Sequence, residues 1–411
     1  MTDTIGKRVL LLVPAITYRA TDFVSAAHRL GLDVVIGTDG ALPLGGQPVL
    51  RVDADDPGAS AQSLVATMGL VDSVVAADSQ MLSLASRLAA ELGLAHNPVE
   101  SVEAAANKAM QRQAWAEHGV SQPAFRILAA DAVAEALTDA ARALGFPCVV
   151  KPASLSGSRG VLRADDEAGI LVAAREIWGI LSEVGRVGCE PIMIEEFVPG
   201  WELSIDGLLT DGALAVTAIF DKPDMPDGPT FEETMLVTPS RLAAPLLERA
   251  TRLAEQAAMA LGLRYGPIHA ELRIDMREGR ERVVMLELAA RSIGGLCSRA
   301  LRFSEGVSLE TLILLNSLGG RVLPPHLPGA AGVLMLPVER AGVLQRIDGQ
   351  TEALAVPGIT GLSITIPLGQ AVRPLPWGDR YLGFLFAAGR EIGDVEEALR
   401  GAHRKLRAII T

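Results

Sequence analysis

The chain has 411 residues, 49% of them apolar and 21% charged, a composition that can bury several cores and excludes an intrinsically disordered protein. Its net charge of −12 repels phosphate backbones and argues against a nucleic-acid partner, and no apolar run approaches the ~20 residues of a membrane span. Three widely spaced cysteines, Cys148, Cys189 and Cys297, form no CxxC, which points to a reduced, cytoplasmic setting rather than a disulfide or zinc framework.

The first apolar run, KRVLLLV at 7–13, stops at Pro14 and predicts a strand buried on both faces rather than a signal peptide. Apolar side chains at helical spacing over 22–30 end at Gly31, a C′ glycine. A strand (LDVVIG), a helix over 60–68, a strand over 72–76 and a helix over 80–92 follow. This alternation predicts a parallel α/β layer, closed at Asn97-Pro98. Residues 100–118 read as one Ala-rich helix and 131–144 as another, before the strand FPCVVKP and a Gly/Ser loop at 154–160. Helix 165–183 leads to a strand over 191–197. The runs LSIDGLL and GALAVTAIF pair antiparallel about Asp211-Gly212. Residues 221–239 are rich in Pro, Asp and Gly and read as a loop, and 241–261 as a long helix. Strands PIHAELRID and RVVMLELA flank a turn at 277–280. Short β-like runs and a terminal helix complete the chain.

Four constellations carry chemistry. Lys151 ends a strand and is followed by Ser156-Gly157-Ser158-Arg159-Gly160, where two glycines let backbone N–H groups turn toward one anion. The spacing is not that of a P-loop, and alone the segment also reads as a flexible connection. Glu195-Glu196-Phe197-Val198 opens a hinge that ends at Glu202, seven residues after Glu195. Backbone groups near Glu196 and Val198 suit an adenine edge, and Glu202 suits two ribose hydroxyls; a charged strand end is the plain alternative. Glu271 and Glu287 sit in apolar strands across a tight turn, with both carboxylates on one face. Two hard oxygen donors on one cavity suit Mg²⁺, and salt bridges to Arg273 and Arg291 are the even alternative. Arg291 precedes Gly294-Gly295 and can grip a phosphate or carboxylate bidentately. His269 shares a strand face with Glu271 and reads either as a core histidine or as a contact to phosphate or amine. Glu233 lies in the 221–239 loop and reads either as a solvated acid or as a partner for an α-ammonium.

In order and spacing these residues, with Lys108, resemble the ATP-grasp superfamily over ~100–315. The segments PGITGLSITIPLGQAVRPL and GDRYLGFLFAAG resemble the closing lobe of the L-amino-acid ligase branch. The resemblance implies an α/β ATP-grasp fold with four parts: a Rossmann-like pre-ATP-grasp domain (1–98), an A/B subdomain with a glycine-rich lid (99–198), a catalytic subdomain (199–320) and a C-terminal α+β lobe (321–411). It implies ATP bound by Lys108, Lys151, Ser156, Gly157, Ser158, Gly160, Glu195, Glu196, Phe197, Val198 and Glu202. It implies Mg²⁺, one ion or two with Mn²⁺ as a substitute, on Glu271 and Glu287. Arg291 and Lys151 then act on the transferred phosphoryl group, and Glu233, His269, Arg291, Gly294 and Gly295 face the substrate. Many members carry Asn two residues after the second metal ligand, where this chain has Ala289. The implied activity joins a small carboxylate and an amine through an acyl phosphate, releasing ADP and phosphate. The rival readings are a carboxylase or a ligase of a specialised carboxylate, and a nucleotide-binding protein without catalysis. Partners are small molecules, with no nucleic acid or membrane, and a homodimer is allowed for.

Overall fold

The leading alternation of strand and helix folds as a parallel layer in the computed structural model, which describes residues 4–14, 17, 19–40, 49–53, 55–68, 70–224, 227–279 and 281–411. Strands Val49–Arg51, Asp33–Thr38, Arg8–Val13 and Ser73–Ala76 lie side by side in that order, all parallel. Val9, Leu11 and Val13 enter one core and Leu10 and Leu12 another, which is why the first run is apolar throughout. The chain leaving the carboxyl end of Ser73–Ala76 carries Asp78, Ser79 and Gln80 to the rim of a central cavity.

Two antiparallel sheets follow. The smaller has the order Phe125–Leu128, Ile192–Glu196, Cys148–Pro152, Leu162–Ala164, and helices Ala134–Leu144 and Glu167–Glu183 share its core. The larger has eight strands: Arg282–Ala289, Gly266–Asp275, Trp201–Thr210, Ala213–Asp221, Met235–Thr238, Ala330–Leu336, Gly383–Gly389 and Ile359–Ile364. Its last three strands belong to the C-terminal segment, so that lobe extends the sheet carrying the candidate carboxylates.

Three expectations change. The single helix over 100–118 is two, Val99–Ala105 and Lys108–Glu117. The Asn107 side chain accepts from the N–H groups of Ala109 and Met110 and starts the second helix afresh. Lys108 is therefore a first-turn residue, with its own N–H on Ala153 O at 2.8 Å. The loop over 221–239 ends in a buried strand, Met235–Thr238, which bridges the catalytic strands to the C-terminal ones. The terminal helix stops at His403, and the chain turns into the strand Arg407–Ile410.

The glycine-rich loop and the helix Glu167–Glu183 that follows it are tied to the C-terminal lobe. Arg373 gives Glu183 two hydrogen bonds at 2.7 and 2.8 Å, Trp377 Nε1 donates to Glu176 at 2.7 Å, and the Gly160 N–H donates to Pro376 O at 3.1 Å.

Candidate active site between the two antiparallel sheets

Every site residue singled out in the sequence except Gly160 lines one cavity of about 490 Å³. Gly160 turns away, onto Pro152 and the Pro376 carbonyl. In the glycine-rich loop Gly157, Ser158 and Gly160 take φ of 65°, 56° and 72°, the left-handed region. A β-carbon on Gly157 would meet nothing within 4 Å, so that backbone stands clear of neighbouring side chains at the cavity wall.

The two lysines come from different elements. Lys108 Nζ donates to Leu155 O at 2.7 Å and lies 3.2 Å from Glu287 Oε1. Lys151 Nζ lies 2.7 Å from Glu195 Oε2. Glu195 also accepts from Arg112 Nε at 2.8 Å and Nη2 at 3.1 Å, and Arg112 reaches on to Leu286 O at 2.7 Å. This triad is fully buried. Burial would raise the Glu195 carboxyl, but the two cations outweigh it and hold the group below its usual value; burial pulls the Lys151 ammonium down. The side chain of Glu195 therefore anchors Lys151. Glu196 likewise directs its carboxylate to Arg282, at 2.6 and 3.1 Å, and to the Ala124 N–H. Its own N–H donates to Ala124 O, and Phe197 N–H to Pro147 O. Among the described residues the Val198 N–H has no such partner, which leaves it as the hinge donor at the cavity wall.

The strand pairing places Glu271 opposite Glu287, with a bulge after Glu271, so the two carboxylates share the cavity face. Neither pairs with Arg273 or Arg291. Arg273 Nε instead donates to Glu202 at 2.6 Å, and its Nη1 to Val198 O at 2.8 Å. Arg291 Nε donates to Ser79 Oγ at 3.0 Å and its Nη1 to Ser292 O at 2.9 Å, which fixes the guanidinium at the junction with the N-terminal layer. Gly294 lies against it: a β-carbon there would come 3.5 Å from Nη1.

A residue that sequence reading passed over, Lys222, organises the acids. It is buried, 2.8 Å from Glu202 Oε1, 3.5 Å from Glu271 Oε2, and hydrogen-bonded to Glu233. Burial opposes its charge, yet Glu202, Glu233 and Glu271 together hold the ammonium well above its usual value. The oxygens of these three acids lie within 4.8 Å of one another. Lys222 supplies the positive charge that lets them converge. The only sequence signal was its place directly after the apolar strand Ala213–Asp221.

His269 is neither a free base nor an idle core residue. Its Nδ1 meets Asp206 Oδ2 at 3.1 Å and its Nε2 meets Glu271 Oε1 at 3.4 Å, while Asp206 Oδ1 accepts from the Ile293 N–H at 2.8 Å. Burial would lower its pKa, but the two carboxylates raise it to about 9. In the strand register His269 stands opposite Ala289, so neither residue there offers an oxygen ligand. The donor set on this face is thus two carboxylates, Glu271 beside Lys222 and His269 and Glu287 beside Lys108, which fits one divalent ion. The C-terminal lobe adds Thr365, Asp379, Arg380, Tyr381 and Phe384 to the wall, none singled out from sequence.

Comparison with known proteins gives concordant results. Residues 144–300 match the model of an ATP-grasp domain, and residues 334–411 match the L-amino acid ligase C-terminal domain 2. A D-alanine–D-alanine ligase of Gloeobacter violaceus is 30% identical over 236 residues, 54% of this chain and 72% of that protein. An uncharacterized protein of Sinorhizobium fredii is 26% identical over 380 residues, 89% of this chain and 75% of its own length. The crystal structure of an L-amino acid ligase from Bacillus licheniformis superposes with a TM-score of 0.83 at 25% identity, covering 99% of both chains. Among the described residues no helix is long and apolar enough to cross a membrane.

Proposed function

The chain belongs to the ATP-grasp superfamily and ends in an L-amino acid ligase C-terminal domain, and from that premise we propose that it joins a small carboxylate to an amine, at least one of them an amino acid, releasing ADP and phosphate. The observation that supports this reading best is the convergence of Lys108, Lys151, Glu271, Glu287 and Arg291 on one cavity whose far wall comes from the C-terminal lobe. Two of the proteins compared are named as amino-acid ligases, which favours amino-acid substrates here.

In this reading the Val198 N–H and the hinge hold the adenine edge, and Glu202 accepts the ribose hydroxyls on lone pairs that Lys222 and Arg273 leave open. Lys108 and Lys151 hold the phosphates, and the N–H groups of residues 156–158 cover them. Glu271 and Glu287 would hold Mg²⁺, which supplies positive charge between phosphate oxygens. Carboxylate and ATP are both anions, so their approach needs that charge neutralised before bonds change. Arg291 receives the negative charge that develops on the transferred oxygens. The acyl phosphate so formed is sensitive to water, and the glycine-rich loop, held at Gly160 by the Pro376 carbonyl, keeps water out. Attack by the amine expels phosphate. We place the enzyme in the cytoplasm, where ATP is available and three unpaired cysteines stay reduced.

Product analysis tests the reading. With amino-acid pairs, ADP and phosphate should form together with an amide, and ¹⁸O from the substrate carboxylate should appear in phosphate. AMP and pyrophosphate, or no ¹⁸O transfer, would sink the mechanism. Two substitutions test the assignments. Glu287→Gln keeps the shape of the ligand and removes its charge, so turnover is expected to fall by a factor of 10² or more while nucleotide still binds; near-normal turnover at limiting Mg²⁺ contradicts the metal role. Glu202→Gln should weaken ATP binding by ~1–3 kcal/mol in calorimetry, the range for lost charged hydrogen bonds. Unchanged affinity would remove Glu202 from the ribose site.

A further inference from the structure

Beyond the lysines and acids, one stretch of the cavity wall is apolar, and it belongs to the end where a substrate carboxylate would meet Arg291. Leu236, Met335 and Phe384 point from one face of three neighbouring strands: Leu236 is opposite Val333, and Met335 is opposite Phe384. All three are at most 3% exposed and line the cavity. Ile293 and Cys297 face them from the segment just after Arg291, at 2% exposure each, and share the same core. Gly295 brings this segment close: a β-carbon there would strike the Phe384 ring at 2.6 Å, so only glycine lets the two walls meet. Tyr381 packs its ring 6.2 Å from that of Phe384 at the edge. The adenine end is elsewhere, at the hinge residues Phe197 and Val198.

We propose that this recess takes the side chain of the carboxylate donor, and that the donor is an α-amino acid with an uncharged, apolar side chain, Met335 and Leu236 setting its size. The inference rests on the ligase reading for the words carboxylate donor, and on the wall itself for the rest. The donor's carboxylate lies toward Arg291, its ammonium toward Glu233, and its side chain against the five apolar residues. A charged side chain in the recess would lose its water and gain no partner. Of the cations on that side, Arg19 gives Nη1 to Ala77 O at 3.1 Å and Nη2 to Ser292 Oγ at 2.6 Å, and Arg380 Nε lies 3.4 Å from its neighbour Asp379. The Cys297 thiol, pushed up by burial first and by Glu233 and Asp206 next, stays neutral.

The test is calorimetry of single L-amino acids against the full chain with Mg·AMPPNP, followed by turnover with fragmentation of the product to identify its N-terminal residue. Leucine, methionine and phenylalanine should bind at least ~10-fold tighter than aspartate, glutamate and lysine, and should form the N-terminal residue of the product. One methylene in an apolar pocket is worth roughly 10–200-fold, so Met335→Ala should raise the phenylalanine-to-leucine preference by ~10-fold or more. Circular dichroism and AMPPNP affinity certify that the variant is folded, and Leu236→Ala on the neighbouring strand repeats the test should it not be. Charged amino acids that bind as tightly as leucine, or a folded variant with an unchanged preference, overturn the recess. Apolar amino acids that bind with this discrimination, yet release no ADP with any amine, overturn the ligase reading and support the recess.

Discussion

Replacing Arg291 with alanine is expected to lower turnover by ~10²–10³ while changing the affinity for ATP little. The argument is positional. Arg291 leaves the strand Arg282–Ala289 just past Glu287, and its guanidinium is set by Ser79 at 3.0 Å and by the Ser292 carbonyl at 2.9 Å. Lys108 and Lys151 already face the phosphates of a bound nucleotide in the proposed mode. Arg291 lines the same cavity, four residues after Glu287 and two before Ile293 of the apolar recess, so in the proposed mode it meets negative charge where the phosphoryl group is shared with a carboxylate. An interaction made mainly in the transition state lowers kcat and kcat/KM together. The measurement is steady-state kinetics at saturating amino acid with ATP varied, beside calorimetric affinity for AMPPNP. A variant that loses ATP affinity in step with turnover would make Arg291 a ground-state phosphate ligand instead. Ser79→Ala, which removes one anchor of the guanidinium, should show a smaller loss of the same kind.

The elements that position the site were legible wherever the sequence repeats a simple period. The strand at 8–13 and the strands ending at Asp275 and Ala289 are apolar runs bounded by turn residues, and the antiparallel pairing of the last two sets Glu271 opposite Glu287; Arg280 of the expected turn lies outside the described residues. The helix over 100–118 was misread as continuous because its Ala-rich composition hides a cap: Asn107 stops one helix and starts the next. The strand at 235–238 was hidden by the Pro- and Gly-rich chain before it. Charges placed by tertiary contact left no local trace. Lys222 follows an apolar strand by one residue, and Arg112 sits on a helix among other polar residues, yet each is buried against carboxylates far away in the chain. Asp206 lies in an almost wholly buried strand, and only the fold shows that it steadies His269. The role expected of the Glu195 carboxylate was displaced for the same reason, since Arg112 and Lys151 consume both of its oxygens.

That triad gives the second large expected effect. Glu195→Ala should destabilise the chain by ~3–5 kcal/mol, because it strands two buried cations, Arg112 at 0% exposure and Lys151 at 6%. The melting midpoint is then expected to drop by ~3–6 °C. The pH dependence follows the depressed carboxyl. A carboxylate whose folded pKa lies below its ordinary value of 4.5 contributes its stability above that value and loses it as pH falls through the folded pKa. Wild type and Glu195→Ala should therefore differ most near neutral pH and converge in acid. Melting curves from pH 7 down to pH 3 check this, and a gap that stays constant across that range would show that lost packing, not charge, is responsible. The triple replacement Arg112→Leu, Glu195→Leu and Lys151→Met separates structure from function. Apolar residues of similar volume can recover the stability of a buried ionic cluster. The variant should melt closer to wild type than Glu195→Ala does, yet bind AMPPNP weakly, because in the proposed mode Lys151 is the member of the triad that also holds the phosphates. Recovery of both stability and nucleotide affinity would reduce Lys151 to a structural counter-ion and leave Lys108 as the phosphate-binding lysine.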